Sequence, residues 1–295
     1  MRTCVCTCVS PYVMLSATQL GRLAAGRILP GLVARRAHTE RKVRVKDAGD
    51  LHIVESGSGS RSLLLMPGAL GSAWTDFKPQ IEQLPKLLPD HTIIAWDPPG
   101  YGKSVPPQRK FGLEFFREDA EAAVNLMRAL NRPRFSVLGW SDGGITALIL
   151  AGRHADAVEK LAIWGAGAYL NADEVKALKA IRDVAKWSPR MREPMERVYG
   201  AERFAQLWAE WVDAACAFYA QRDGDFCRTE VGQVKAPTFI LHGKKDPMIA
   251  AEHVPWLKQR LPLARYHEFP DGKHNIHLRY SAEFNQLVAD FFEGK

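Results

Sequence analysis

A Gly-x-Ser-x-Gly sequence that joins a strand-like run to a helix-like run places the strongest constraint on how this chain can fold. Residues 135–138 are apolar and typical of a buried strand, whereas residues 145–150 continue as an apolar helix. Gly139 and Gly143 allow the close backbone approach that an abrupt strand-to-helix turn needs, and they leave Ser141 exposed at its apex. The pattern predicts a nucleophile elbow, with helix N–H groups facing the place where an oxyanion would form. An ordinary glycine-rich turn with an uninvolved serine is the alternative.

The distribution of short apolar runs predicts an α/β fold. Continuous apolar runs are expected for strands that are covered on both faces of a parallel sheet. They occupy residues 63–66 and 93–96, and residues 160–165 and 237–243 are predicted to form two further strands. Residues 43–45 and 51–54 predict an antiparallel hairpin, and residues 113–130 have the spacing of a crossover helix. The predicted architecture is therefore a mostly parallel sheet with helices on both faces.

One long interval interrupts this order of strands and helices. Residues 168–234 contain no strand-like run, and their helical patterns are rich in Trp and Arg and are broken at Pro189 and Gly200. We predict a helical cap over the strand ends that shapes a substrate pocket, with peripheral helices packed on the sheet as the alternative. The predicted core then consists of residues 40–167 and 235–295.

Residues 1–39 differ in composition from the rest of the chain. They hold five arginines and no acidic residue, and they are rich in Ser, Thr, Ala and Leu. This composition predicts a mitochondrial presequence and a mitochondrial location, with a cytoplasmic protein that carries a disordered tail as the alternative. The apolar segment 9–20 is interrupted by polar residues and by Pro11, which argues against a secretory signal.

Charge and hydropathy exclude two classes of partner. The formal net charge is +7, but without residues 1–39 the chain has 35 basic and 33 acidic residues and a net charge of +2. A nearly neutral body offers no basic patch for nucleic acid. No stretch reaches the roughly 18 consecutive apolar residues of a membrane span. We expect a monomeric protein with a small-molecule substrate.

The cysteines do not predict a metal site. Cys4, Cys6 and Cys8 lie in the predicted presequence, and Cys216 and Cys227 lack the Cys-x-x-Cys spacing of a metal site. Two free thiols are expected in the body of the protein, although the spacing leaves a disulfide between them open.

A serine hydroxyl needs a base to become a nucleophile, and histidine is the usual base because its pKa is about 6.5. Of nine histidines, His274 has the best context, in a glycine-containing loop between the strand-like residues 264–269 and the helical residues 282–292. His277 is the alternative base. The two histidines could also form a metal pair, which would need a further ligand nearby.

Asp246 is the predicted orienting acid, because it follows the strand-like residues 238–241 on a separate loop. We therefore predict a triad of Ser141, His274 and Asp246. A helix N-cap in front of a proline would use the same aspartate and is compatible with the catalytic role. Asp97, which also follows a strand-like run, is interpreted as a carboxylate that stabilises a turn.

The loop after residues 63–66 is rich in glycine and lies at the carboxyl end of a predicted strand. A second N–H group for an oxyanion usually comes from this place, in addition to the N–H of the residue after the nucleophile. The predicted oxyanion hole therefore consists of the backbone N–H of Asp142 and that of Ala69 or Leu70.

From about residue 43 to its C terminus, the chain resembles the α/β-hydrolase superfamily. The resemblance is carried by GWSDGGITA at 139–147, by GKHN at 272–275 and by the chain order of nucleophile, acid and histidine. It implies an α/β-hydrolase fold with a helical cap insertion and, from the form of the two motifs, a mitochondrial serine hydrolase of α-amino-acid esters that uses no cofactor and no metal. Pro67 and Pro99 stand where many members have His and Arg.

Asp142 is the residue from which we predict the acyl group that the site accepts. The residue after the nucleophile can line the acyl pocket, so a carboxylate there would lie close to the α-carbon of a bound ester and favour an ammonium group. An unpaired carboxylate beside a developing oxyanion would oppose catalysis unless a cation neutralised it. We therefore predict that Asp142 binds the amino group of the substrate. The alternative is a carboxylate already paired with an arginine of the cap.

Two other functions remain open at this point. A C–C bond hydrolase of the meta-cleavage type would use the same triad, and a non-catalytic binding protein with the same fold would use none of it. Dehalogenases and epoxide hydrolases fit less well, because their nucleophile is a carboxylate and position 141 is serine.

Overall fold

The strands of the protein form one sheet in the computed structural model, which describes residues 38–295. They are β1 (His38–Val45), β2 (Gly49–Gly57), β3 (Arg61–Met66), β4 (His91–Trp96), β5 (Phe135–Trp140), β6 (Val158–Trp164), β7 (Thr238–Gly243) and β8 (Arg265–Phe269). Their order across the sheet is β1-β2-β4-β3-β5-β6-β7-β8. β1 and β2 form an antiparallel hairpin, β2 pairs with β4 in antiparallel fashion, and the later pairings are parallel. The predicted hairpin and the mostly parallel sheet are confirmed.

Helices cover both faces of this sheet. They are α1 (Ala73–Leu87), α2 (Phe115–Ala129), α3 (Asp142–Arg153), α4 (Ala172–Ala180), α5 (Pro189–Tyr199), α6 (Ala201–Arg222), α7 (Arg228–Val231), α8 (His253–Arg260), α9 (Ile276–Arg279) and α10 (Ser281–Glu293). In β3, Leu64 and Met66 belong to the buried cluster of α2 and α3, whereas Leu63 and Leu65 belong to that of α1 and α10. Successive side chains of a strand point to opposite faces. Because both faces are covered, residues 63–66 of β3 are apolar throughout, as predicted.

The parallel strands place the functional loops at one edge. Strands β3 to β8 all run in the same direction, so their carboxyl ends lie side by side. This edge is where open α/β sheets bind their ligands. Ser141 follows β5 near the middle of the sheet, whereas Asp246 follows β7 and His274 follows β8.

The helices α4 to α7 lie between β6 and β7, in the interval for which the sequence predicts a cap. The segments that enter and leave this interval pair with each other. The N–H of Leu170 donates to the carbonyl of Gly224 over 2.9 Å, and the N–H of Phe226 donates to that of Ala168 over 3.0 Å. A Cβ at Gly224 would lie 2.1 Å from the oxygen of Leu170, so the pairing requires glycine there. These hydrogen bonds hold the two ends of the insertion together. We call its helices α4 to α7 the cap.

The helical pattern at 175–187 is divided in the structure. α4 ends at Ala180, and a single 3₁₀ turn follows at Val184–Lys186. The side chain of Asp183 accepts a hydrogen bond from the N–H of Ala185 over 3.1 Å. Aspartate favours such local contacts to the backbone over a continuous helix, which explains why a new turn begins here.

The N-terminal prediction falls mostly outside the structure. β1 begins at His38, before the predicted end of the presequence at residue 39. Residues 1–37, and the predicted mitochondrial targeting with them, lie outside the described residues. In the described part of the chain, no helix combines the length and the hydropathy needed to cross a bilayer. Cys216 and Cys227 are free thiols, as expected.

Candidate active site

Ser141 lies at the apex of a tight turn between β5 and α3. Its backbone φ is 54° and its ψ is −122°, a conformation that residues other than glycine rarely adopt. The turn needs glycine on both sides. A Cβ at Gly143 would lie 2.0 Å from the carbonyl oxygen of Met66, and one at Gly139 would lie 2.5 Å from the carbonyl oxygen of Gly143. The chain therefore forms the sharp strand-to-helix turn that its glycines predict.

The side chains of Ser141, His274 and Asp246 form a continuous chain of hydrogen bonds. Oγ of Ser141 lies 3.1 Å from Nε2 of His274, and Nδ1 of His274 lies 2.9 Å from Oδ2 of Asp246. The imidazole is 19% exposed and the carboxylate 1% exposed, so the acid is shielded while the base reaches the cavity. In this arrangement Nε2 can accept a proton from the serine while Asp246 holds the proton on Nδ1.

Two neighbours define the position of the His274 ring. Nε1 of Trp140 donates to the backbone carbonyl of His274 over 3.0 Å. Gly165, which follows β6, has a φ of 57°, and a Cβ there would lie 2.9 Å from Cε1 of the imidazole. Glycine at this position leaves the space that the ring occupies. The sequence offered no signal for this role, because Gly165 only ends a predicted strand.

The carboxylate of Asp246 is oriented by backbone donors. Oδ1 accepts hydrogen bonds from the N–H groups of Met248 over 2.8 Å and Ile249 over 3.3 Å, while Oδ2 faces His274. Each oxygen has its own donors, so rotation of the carboxylate would break both sets of contacts. Asp246 therefore caps a turn and contacts the histidine at the same time, but it is not a helix N-cap, because the next helix, α8, begins only at His253.

His277, the alternative base, already uses both ring nitrogens elsewhere. Nδ1 accepts a hydrogen bond from Nε1 of Trp164 over 3.0 Å, and Nε2 donates to the backbone carbonyl of Asp76 over 3.0 Å. Burial lowers the pKa of His277 to about 3, so the ring is neutral. Within the described residues, no group of three or more His, Cys, Asp or Glu side chains could hold a metal ion. His277 is thus a structural residue that links α9 to α1 and β6.

The loop after β3 turns beside the serine. An added Cβ at Gly68 would lie 3.3 Å from Cβ of Ser141, which places the loop in contact distance of the elbow. The N–H of Gly71 donates to the carbonyl of Gly68 over 3.0 Å, and Leu70 has a φ of 56°. Among the described residues, the N–H groups of Ala69 and Leu70 have no acceptor. These two N–H groups are therefore the candidates for the second oxyanion donor.

Asp76 holds this loop and was not identified from the sequence. Its Oδ2 accepts the N–H of Gly68 over 2.9 Å, and its Oδ1 accepts the hydroxyl of Thr75 over 2.8 Å. A Cβ at Gly71 would lie 2.0 Å from Oδ2, so the loop rests directly on the carboxyl group. Burial raises the pKa of Asp76 to about 7, although both hydrogen bonds act in the opposite direction. In the sequence, an acidic residue near a helix start is explained by the helix dipole alone.

Asp97 also holds backbone groups. Its Oδ1 accepts the N–H of Ala73 over 2.8 Å, and its Oδ2 accepts the N–H of Lys103 over 2.8 Å and lies 3.0 Å from Nδ1 of His52. These contacts join the loop after β4 to the start of α1. Asp97 therefore stabilises a turn, as predicted.

The carboxyl group of Asp142 is buried beneath the cap. Nε1 of Trp211, on α6, donates to Oδ2 of Asp142 over 2.7 Å. Burial raises the pKa of Asp142 to about 7, and the hydrogen bond from Trp211 opposes this increase. The nearby guanidinium of Arg109 is instead held by both oxygens of Asp119 at 2.7 Å. The alternative in which a cap arginine pairs with Asp142 is therefore wrong, because the partner from the cap is a neutral tryptophan.

A cavity lies between Ser141 and the cap. Its polar side chains are those of Ser141, Asp142, His274 and Trp211, and the described residues that line it include neither Lys nor Arg. The rest of the lining is mainly apolar and comes from the core and the cap, including Phe115, Phe116, Ile145, Leu178, Phe218 and Met248. An acidic group in such surroundings attracts a cationic ligand group strongly, because little water competes for it.

The fold and this site define the class of protein. A family model described as the alpha/beta hydrolase family matches residues 63–287. The chain therefore belongs to the α/β hydrolase family, and the predicted fold class is confirmed. The residues predicted for the site all lie at the same edge of the sheet around Ser141: Ala69, Leu70, Asp142, Asp246 and His274.

Individual relatives extend the similarity over nearly the whole chain. The chain is 43% identical to the serine hydrolase BPHL of Homo sapiens over 281 residues, which cover 92% of this chain and 96% of that protein. It is 45% identical to the serine hydrolase BPHL of Mus musculus over 257 residues, 87% of each chain. A solved alpha/beta hydrolase fold protein from Chitinophaga pinensis superposes with a TM-score of 0.70 at 19% identity and covers 88% of this chain and 98% of its own. This last similarity concerns the fold alone.

Proposed function

We propose that this protein is a serine hydrolase that cleaves carboxylic esters of α-amino acids through an acyl-enzyme. The observation that carries the proposal is the hydrogen-bond chain Ser141–His274–Asp246, of which Ser141 and His274 line an apolar cavity whose acidic side chain is Asp142. The two BPHL relatives, which are named serine hydrolases, support the reaction class. The chemistry requires neither a metal nor a cofactor.

In the proposed mechanism, His274 takes the proton of Ser141 through Nε2 while Oγ attacks the ester carbonyl. The tetrahedral intermediate then loses its alkoxide, which receives that proton from His274. Water, activated by the same imidazole, attacks the acyl-enzyme and releases the amino acid. Asp246 keeps the ring in the required orientation and stabilises the imidazolium that forms in each half-reaction.

Backbone donors stabilise the oxyanion in this mechanism. The N–H of Asp142 begins α3 and points from the positive end of the helix dipole. The second donor comes from Ala69 or Leu70, whose N–H groups have no acceptor among the described residues. Loss of one such donor typically lowers kcat about 10²- to 10³-fold.

Asp142 selects the acyl group. Its carboxylate would accept a charge-assisted hydrogen bond from an α-ammonium group, a contact of roughly 1.5–3 kcal/mol. This corresponds to roughly ten- to a hundredfold in kcat/KM relative to an acyl group that lacks the amine. The ammonium would also neutralise a carboxylate that otherwise lies close to the developing oxyanion.

The same electrostatics argue against a C–C bond hydrolase of the meta-cleavage type. Substrates of that reaction carry a carboxylate of their own, and the cavity would have to accommodate it beside Asp142. The described lining contains no Lys or Arg to bind such a group. An amino-acid ester brings the opposite charge and is therefore the better match to this cavity.

The deciding experiment compares kcat/KM for an α-amino acyl ester and its desamino analogue. We expect the wild type to prefer the amine, the variant Asp142→Ala to lose this preference, and Ser141→Ala to lose turnover of both esters. Turnover by a folded Ser141→Ala variant would refute Ser141 as the nucleophile. A wild type without preference would leave a serine esterase of another acyl class.

Two further measurements separate the remaining rivals. A C–C bond hydrolase would turn over a vinylogous diketone acid and have negligible activity on both esters. A non-catalytic binding protein would not react with a serine-directed fluorophosphonate. We expect the fluorophosphonate to label Ser141 in the wild type.

A further inference from the structure

The cap contacts both halves of the proposed oxyanion hole. On one side, Trp211 on α6 holds the side chain of Asp142, whose N–H is one of the proposed donors. On the other side, the hydroxyl of Tyr199, the last residue of α5, donates to the backbone carbonyl of Leu70 over 2.7 Å. Leu70 belongs to the loop that supplies the second donor. Tyr199 takes no part in the proton transfers of the proposed mechanism.

The Tyr199 hydroxyl is held from two sides. It donates to Leu70 and accepts a hydrogen bond from the N–H of Gly102 over 3.1 Å. Gly102 has a φ of 49°, and a Cβ there would lie 2.4 Å from Oδ2 of Asp97, so the loop after β4 is itself tightly packed. The hydroxyl therefore connects the cap to the loops that follow two neighbouring strands, β3 and β4.

α5 has few other connections to the core. None of its residues is fully buried. In the described chain, its other side-chain hydrogen bonds and ion pairs remain within the cap: Arg192 with Glu196, Arg192 with Ala185, and Arg197 with Glu193. The polar link between α5 and the core is therefore Tyr199, and any displacement of α5 acts on Leu70 through it.

Leu70 has a conformation that needs outside support. A φ of 56° lies in the left-handed region, where a leucine side chain is sterically unfavourable. Asp76 fixes the other end of the same turn through the N–H of Gly68. One end of the loop is thus anchored in the core and the other by the cap.

We propose that Tyr199 is a positioning residue for the hydrolytic reaction: its hydroxyl holds Leu70 so that the N–H groups of the loop face the oxyanion. Docking of the cap then completes the oxyanion hole, and correct placement of α5 becomes a condition for fast acylation. The proposal rests on the proposed serine hydrolase function. It concerns the oxyanion, which every ester forms, and is therefore independent of the amine preference that Asp142 provides.

The variant Tyr199→Phe keeps the ring and removes the hydroxyl. We expect kcat per active site to fall about ten- to a hundredfold for the α-amino ester and for the desamino ester alike, with KM within about twofold of the wild type. The variant Tyr219→Phe is the matched control, since Tyr219 lies on α6 and is 39% exposed. An unchanged kcat in Tyr199→Phe would overturn the proposal, and so would a change confined to KM.

A second measurement does not depend on any ester. The rate constant for fluorophosphonate labelling of Ser141 should fall about tenfold or more in Tyr199→Phe, because phosphonylation also develops charge on an oxygen in the oxyanion hole. Titration of active sites with the same reagent normalises both assays to folded enzyme. An equal labelling rate in variant and wild type would refute the role of Tyr199. Absence of labelling in the wild type would instead refute the serine hydrolase function.

Discussion

Nε1 of Trp211 lies 2.7 Å from Oδ2 of Asp142, so a residue of the cap and the residue that follows Ser141 share a buried hydrogen bond. A neutral donor satisfies one lone pair of the carboxyl group and leaves its charge uncompensated. An arginine in the same place would have neutralised that charge and removed the reason for an ammonium group to bind. Burial raises the pKa of Asp142 to about 7, and the Trp211 hydrogen bond and the nearby Arg109, itself paired with Asp119, offset this increase only in part.

The preference for an amine should depend on pH. Below its pKa of about 7, Asp142 is protonated and cannot pair with an ammonium group. Above a pKa of roughly 7.7, typical of an α-amino group, the substrate loses its own charge. The ratio of kcat/KM for the amino ester to that for its desamino analogue should therefore rise through pH 7 and fall above about pH 8.

Taking this ratio cancels ionisations that affect both substrates equally. The isosteric variant Asp142→Asn should give a lower ratio that no longer rises through pH 7. If the rise persisted unchanged in Asp142→Asn, another group would be responsible for it.

Trp211→Phe should shift the increase in the ratio of kcat/KM between the amino ester and its desamino analogue to higher pH. The indole hydrogen bond lowers the pKa of Asp142, so its removal lets burial raise that pKa further. A hydrogen bond to a charged group corresponds to about 1 pKa unit or more. The control is Trp208→Phe, because Trp208 is also on α6 but donates to the carbonyl of Ile181 over 2.8 Å. A shift of equal size in both variants would trace the effect to general repacking of the cap.

Asp142→Asn should stabilise the protein more at high pH than at low pH. The pKa of Asp142 is about 7 in the folded protein, whereas an unperturbed aspartate has a pKa of 3.8, so the folded state retains a proton that the unfolded state loses. The stability that this residue contributes is complete below about pH 4 and is lost as the pH rises through 7. The gain of the variant in unfolding free energy should therefore grow over this interval to about 4 kcal/mol. Urea unfolding at about pH 5 and pH 8 should show about 3 kcal/mol of this change, and a gain independent of pH would contradict the assignment.

Gly165→Ala should impair catalysis by displacing His274. The added methyl group would lie 2.9 Å from Cε1 of the imidazole, so the ring must move away from Ser141. A misplacement of a catalytic group by about 1 Å typically lowers the rate about 10²-fold, and we expect a loss of kcat of this order. Gly294→Ala is the control, because Gly294 also has a positive φ, 85°, and a Cβ there would approach nothing closer than 3.6 Å. Both variants bear backbone strain, so comparable kcat values in the two would rule out the steric explanation.

The elbow and the strands could be predicted from the sequence because their causes are local. Gly139 and Gly143 are required by contacts within one turn, and the continuous apolar runs result from a sheet that is covered on both faces. His274 was distinguishable from its neighbour His277 by its glycine-containing loop. In the structure, His277 faces Trp164 and the backbone of α1 instead.

The partners of the site residues could not be predicted, because they come from distant parts of the chain. Trp211 is 69 residues from Asp142, and Tyr199 is 129 residues from Leu70. Many Trp, Tyr and Arg side chains of the predicted cap could have reached this site, and spacing does not distinguish among them. Sequence alone determined the class of fold, and it singled out Ser141, His274 and Asp246, whose side chains the structure joins by hydrogen bonds. Tertiary packing decided which cap side chains touch those groups, because the direction of a side chain between packed layers depends on how the cap lies on the sheet.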